Sequence, residues 1–104
     1  MLSLLVRTPK FEACTSLRVF IIGAEKLHVM LAKTALQKLP GTKFFNMYGP
    51  TETAISCTTY GPLSLPELTR MSSVPIGTAI DNMRLYLRTA RYLNSNNTAM
   101  FFFK

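Results

Sequence analysis

Leu17-Arg18-Val19-Phe20-Ile21-Ile22-Gly23 opens the stretch that decides the fold, and Lys43-Phe44-Phe45-Asn46-Met47 closes it. The first run is β-branched and aromatic and stops at Gly23. Near-continuous hydrophobicity of this length predicts a strand covered on both faces, as in a parallel sheet. Between the two runs, Glu25 to Leu39 places Leu27, Met30, Leu31, Ala35, Leu36 and Leu39 at steps of three and four. That spacing predicts a helix with one apolar stripe packed in the core and Lys33 and Lys38 toward its outer face. Pro40-Gly41 ends it, because Pro bars continuation and Gly accepts a left-handed conformation. Strand, helix and strand within about 30 residues make a βαβ unit with a right-handed crossover. The fold class is therefore α/β, built around this unit.

Working outward, Gly49-Pro50 marks a turn, after which Ala54 to Tyr60 alternates in the manner of a half-exposed, antiparallel third strand. Residues 61–75 carry three prolines and read as a surface loop. Arg84 to Arg88 suits a last short strand. Residues 88–104 differ in character, with Asn94-Ser95-Asn96-Asn97 followed by Phe101-Phe102-Phe103-Lys104, and three exposed aromatic residues there would favour aggregation.

Composition narrows the function classes. The chain has 104 residues, 48% hydrophobic and 16% charged, which argues against wholesale disorder. Twelve Lys and Arg against five Asp and Glu give a net charge of +7 and an isoelectric point near 9.9. Such a balance first suggests a small nucleic-acid-binding module, but the basic residues are spread singly rather than clustered, so no nucleic acid is expected as partner. Cys14 and Cys57 lie among apolar or Thr neighbours. A disulfide is allowed by the count, but reduced, core-facing thiols and a cytoplasmic location fit better. The opening Met1 to Val6 is apolar yet too short to span a bilayer, and it lacks the flanks of a signal peptide, so no membrane is expected. His28, the only histidine, falls inside the predicted helix and suits a structural role better than a general base.

The chemistry concentrates in Asn46-Met47-Tyr48-Gly49-Pro50-Thr51-Glu52, which begins at the carboxyl end of a predicted parallel strand, where open α/β sheets hold ligands. An Asn amide donates and accepts at a purine edge. A Tyr ring offers a stacking face, Gly-Pro allows close backbone approach, a Thr hydroxyl donates to phosphate, and a Glu carboxylate suits Mg²⁺. Spacing alone also permits a plain strand-to-turn exit.

This stretch resembles the N-x-Y-G-P-T-E motif of adenylate-forming, AMP-binding enzymes, above all the adenylation domains of nonribosomal peptide synthetases. Leu17-Arg18-Val19-Phe20-Ile21-Ile22-Gly23-Ala24-Glu25-Lys26-Leu27 is similar to the family's L-R-x-x-x-x-G-G-E-x-L. Leu39-Pro40-Gly41 lies before the motif strand as it does there, and Pro75-Ile76-Gly77-Thr78-Ala79-Ile80-Asp81-Asn82 resembles P-I-G-x-P-I-x-N. The resemblance covers about residues 1–87 and leaves 88–104 unmatched. It implies a partial, βαβ-containing piece of the large N-terminal subdomain of such an enzyme.

By the same resemblance, Tyr48 stacks on adenine, Asn46 meets its polar edge, and the Gly23-Ala24 backbone and Gly49 border the nucleotide. Thr51 contacts the α-phosphate and Glu52 coordinates Mg²⁺. Ile21, Met47, Ile55 and Ser56 line the acid-substrate pocket, with Ile21, Met47 and Ile55 favouring an apolar side chain. The implied reaction joins a carboxylate, in this case an amino acid, to ATP as an acyl-adenylate, followed by transfer to a thiol carrier. Two departures stand out: Ala24 replaces a Gly and Ala79 replaces a Pro. The 104 residues also contain no Thr/Ser/Gly-rich phosphate loop ending in Lys, no Tyr-Arg-Thr-Gly-Asp segment whose Asp grips the ribose, and no lid with the catalytic Lys. The resemblance therefore predicts a nucleotide and substrate wall without catalytic residues and without turnover, poorly soluble by itself. The alternative is a non-catalytic remnant or interaction piece from a truncated gene.

Overall fold

A computed structural model describes residues 1–51, 56–89 and 99–103. A four-stranded sheet in the order β1-β2-β3-β4 carries the architecture, with β1 at Val19–Ile22, β2 at Lys43–Tyr48, β3 at Thr58–Tyr60 and β4 at Thr78–Ala79. β1 and β2 run parallel, Ile22 beside Asn46, while β3 is antiparallel to both β2 and β4. The partly parallel α/β class and the βαβ unit expected from the sequence are both present. A separate antiparallel pair joins β5 (Leu85–Thr89) to β6 (Ala99–Phe103).

One face of the sheet is covered by helices. α1 (Leu2–Arg7) and α3 (Val29–Lys38) pack on it, and α4 (Leu65–Arg70) packs beside α3; a single turn, α2, spans Pro9–Glu12. Phe44 and Ile22 point from the strands into this core, where they meet Leu2, Val6, Ala32, Ala35 and Leu68. Phe44 stacks on Phe20, ring centroids 5.5 Å apart, and Phe20 meets Phe11 edge-on at 6.1 Å. The apolar opening residues thus form an amphipathic helix, with Leu2 and Val6 one turn apart on its buried side.

Several expectations need correcting. β1 is not covered on both faces: Ile22 is buried on the helix side, while Val19 and Ile21 on the other face are 49% and 60% exposed. The central helix begins at Val29 rather than Glu25, because Ala24 adopts φ +70° and His28 is extended, which turns the chain before the helix can nucleate. His28 is therefore the N-cap residue of α3 and not part of its interior. The later start also moves the buried stripe: Ala32 and Ala35 are fully enclosed, whereas Met30 is 70% exposed and not core. Residues 61–75 are not all loop. Leu65–Arg70 is helical with Leu68 fully buried, and Pro66 is tolerated because it falls in the first turn, where its missing N–H has no helical partner to lose. Ser64 Oγ donates to Glu67 Oε2 at 2.7 Å across that turn. The third strand is shorter than expected, Thr58–Tyr60, and residues 52–55 lie outside the described part of the chain. Cys57 is buried as expected, but Cys14 is exposed; neither is in a disulfide.

Candidate adenine-binding site

Two parallel strands that end side by side leave their exits side by side. β1 leaves through Gly23-Ala24 and β2 through Tyr48-Gly49, and a cavity of about 270 Å³ opens between them. Its walls include Ala24 and Leu27 from the first exit, Asn46, Met47, Tyr48 and Gly49 from the second, and Val74 and Ile76 from the segment before β4. The volume falls just under that of a pocket for a drug-sized ligand, and suits a purine ring better than a whole nucleotide.

Each wall has a local cause. A Cβ at Gly23 would lie 3.2 Å from the Met47 carbonyl oxygen, so the first exit hugs the second strand and only a residue without a side chain sits there easily. Ala24 then turns the chain in a left-handed conformation that L-residues adopt at a cost of about 1–2 kcal/mol. Tyr48 keeps its ring 37% exposed while its backbone is anchored: its carbonyl accepts from the Cys57 N–H at 2.8 Å and from Cys57 Sγ at 3.3 Å. The buried thiol therefore helps hold the Tyr in place. Asn46 is 5% exposed, and its Nδ2 donates to the Pro75 carbonyl at 2.8 Å. Beside Tyr48 in the sheet, Thr58 is buried, and its hydroxyl finds no partner among the described residues.

The charged rim is Glu25 and Lys26. The Glu25 carboxylate accepts from the Met1 ammonium at 2.9 Å; that hydrogen bond and the accompanying charge attraction hold its pKa below the ordinary value of 4.5.

Of the residues singled out by the sequence, Ala24, Asn46, Met47, Tyr48 and Gly49 line this one cavity. Gly23 does not line it; with Ile21 it lines a smaller depression on the α1 side. Ile21 and Met47 share the sheet face opposite the helices. Thr51 is exposed and Ser56 half-buried, and neither lines the cavity. Glu52 and Ile55 lie outside the described residues. Val74 and Ile76 were missed as site residues, although Ile76 stands within the Pro75-Ile76-Gly77 match and Val74 just before it.

A family model for the AMP-binding enzyme matches residues 1–98. The chain belongs to that family. Among curated proteins it is 44% identical over 77 residues to tyrocidine synthase 3 of Brevibacillus parabrevis, covering 73% of this chain and 1% of that protein. It is 37% identical over 78 residues to indigoidine synthase of Streptomyces lavendulae, covering 73% and 6%. The chain thus spans only a few per cent of the length of these relatives. Among solved structures, the N-terminal subdomain of Klebsiella oxytoca NpsA, in complex with anthranilyl-AMSN, superposes with a TM-score of 0.71 at 22% identity, covering 86% of this chain and 22% of that one. The AMPPNP-bound form of the nonribosomal peptide synthetase FmoA3 matches with a TM-score of 0.68 at 25% identity, covering 83% and 9%. The fold of this chain matches part of the N-terminal subdomain of an adenylation domain.

Among the described residues no three His, Cys, Asp or Glu side chains converge, so these residues form no all-protein metal cage, and no helix is long and apolar enough to cross a membrane.

Proposed function

We propose that this chain forms part of the adenine wall of an adenylation domain, in a protein that activates an amino acid as its acyl-adenylate with ATP and passes it to a thiol carrier. One observation carries the reading: the cavity at the paired strand exits gathers Ala24, Asn46, Tyr48 and Gly49, which two separate motifs contribute. A ring inserted there meets the Tyr48 face, and its polar edge meets Asn46. Gly49 and Ala24 bring backbone close on either side. Thr51, at the far end of the second exit, extends the wall toward phosphate, with Gly23 behind the first exit.

Mg²⁺ fits this arrangement in the form it commonly takes with nucleotides, one or two carboxylates plus phosphate oxygens. Glu52, the neighbour of Thr51 in the chain, is the carboxylate we assign to it. The ion would neutralise phosphate charge. Ile21, Met47, Ile55 and Ser56 are assigned to the acid pocket, with an apolar substrate side chain favoured by the first three. A cytoplasmic location is proposed with the use of ATP, neither Cys14 nor Cys57 being in a disulfide.

These 104 residues alone do not turn over in this account. Adenylation needs phosphate charge neutralised and reacting groups held in line, and the sequence has none of the family's phosphate-loop Lys, ribose Asp or lid Lys. ATP–pyrophosphate exchange by the purified chain tests this: background rates are expected, and exchange above background would overturn it.

A further inference from the structure

The two motifs at the cavity are joined by a bond that neither would make alone. Asn46 lies in β2 and Pro75 lies 29 positions later, yet Asn46 Nδ2 donates to the Pro75 carbonyl oxygen at 2.8 Å. A carbonyl oxygen accepts only from a donor, so the NH₂ side of the amide must face Pro75. That settles which way the amide points. Its other end, Oδ1, meets no donor among the described residues, while Asn46 lines the cavity. The segment carrying Pro75 is anchored on either side, Gly77 close on the Thr59 carbonyl and Val74 buried in the core, which leaves the direction of the Pro75 carbonyl to the backbone of Pro75 itself.

We infer that Pro75 is a positioning residue: its carbonyl fixes the Asn46 amide so that the pocket presents an acceptor, Oδ1, to the ring edge. An acceptor there favours a purine with an exocyclic amine, which donates, over one with an oxo group, which would place two acceptors face to face. The inference rests on the adenine-wall reading and adds to it the origin of the amine preference. It makes a carbonyl of the Pro-Ile-Gly segment, which touches no ligand, the determinant of base choice.

The test uses the full chain with AMP and IMP as probes, followed by ligand-observed NMR, and the variants Pro75→Gly and Asn46→Asp. Wild-type should favour AMP over IMP by about fivefold or more, the size of one hydrogen bond. Pro75→Gly keeps a carbonyl but frees its direction, so the AMP/IMP ratio should fall toward one. Asn46→Asp presents an acceptor whichever way its carboxylate turns, so it no longer needs Pro75 and its preference for AMP should persist. Equal weakening of both nucleotides with an unchanged ratio would reveal a merely structural link and overturn the inference. So would an Asn46→Asp chain whose ratio falls to one although an acceptor still faces the ring. A second readout needs no nucleotide: the Asn46 side-chain amide protons should exchange slowly with solvent in wild-type and freely in Pro75→Gly. Free exchange in wild-type would sink the inference itself. Slow exchange without binding of either nucleotide would uphold the hold on Asn46 and overturn the adenine-wall reading instead.

Discussion

Gly77 sits so close to Thr59 that a Cβ built on it would lie 1.8 Å from the Thr59 carbonyl oxygen, with Gly77 at φ +87°. Only glycine meets both conditions, and through it the segment bearing Val74 and Ile76 is clamped beside β3. Gly77→Ala should cost about 3 kcal/mol or more, combining left-handed strain with a backbone clash. Urea unfolding checks it; a loss below about 1 kcal/mol would show that the segment relaxes away.

Ala24 presents the opposite case. At φ +70° it holds a conformation that glycine adopts without penalty. Ala24→Gly removes about 1–2 kcal/mol of strain but adds about 0.4–1 kcal/mol of unfolded-state entropy. The net expectation is a gain between zero and about 1.5 kcal/mol, read as a raised urea midpoint at constant slope. Destabilisation would mean that the Ala24 methyl packs usefully against the cavity wall.

Tyr48 and Phe44 lie four residues apart on one strand with opposite exposure. Phe44→Ala should cost about 3–5 kcal/mol of stability, as buried aromatic truncations do. Tyr48→Ala should leave stability within about 1 kcal/mol, since its ring is partly exposed, but should weaken adenine nucleotides by the roughly 1–3 kcal/mol typical of base stacking. Thermal unfolding and nucleotide titration, run on both variants, separate the two roles.

Glu25 offers a pH test. Its pKa is lowered by the hydrogen bond and charge of the Met1 ammonium, so the carboxylate is favoured in the folded state. The stabilising contribution is present above the unfolded value and lost as pH falls through the lower folded one. Because the pair is solvent-exposed, the effect on stability is small. A carboxyl NMR titration of Glu25 should give a midpoint below 4.5, and acetylating the Met1 amine should raise it.

Much of this was legible in the residues. The run at Val19–Ile22 and the motif at Asn46–Gly49 fixed a parallel pair and placed ligand chemistry at its carboxyl end, because strand exits of a βαβ unit are neighbours by construction. What the sequence hid was tertiary. Hydrophobicity marks Val19 and Ile21 as strand residues but carries no record of whether anything covers their face of the sheet. The apolar period at 25–39 ran four residues too far because a left-handed Ala24 leaves no mark in a hydrophobic pattern. The helix at Leu65–Arg70 was concealed by its prolines, although Ser64 and Glu67 already carried the spacing of a helix start. Val74 and Ile76 reach the site through tertiary contacts, the bond from Asn46 to Pro75 and the close approach of Gly77 to Thr59, which no local pattern encodes.

The measurement that bears most directly on the account is saturation-transfer NMR of AMP with the purified chain and with Tyr48→Ala. Binding is expected to be weak, about millimolar, corresponding to roughly 4 kcal/mol. Transfer should be strongest at the adenine H2 and H8 protons, weak at the ribose, and lost in Tyr48→Ala. Transfer that favours the ribose, or that survives unchanged in Tyr48→Ala, would contradict an adenine wall at the paired exits of β1 and β2.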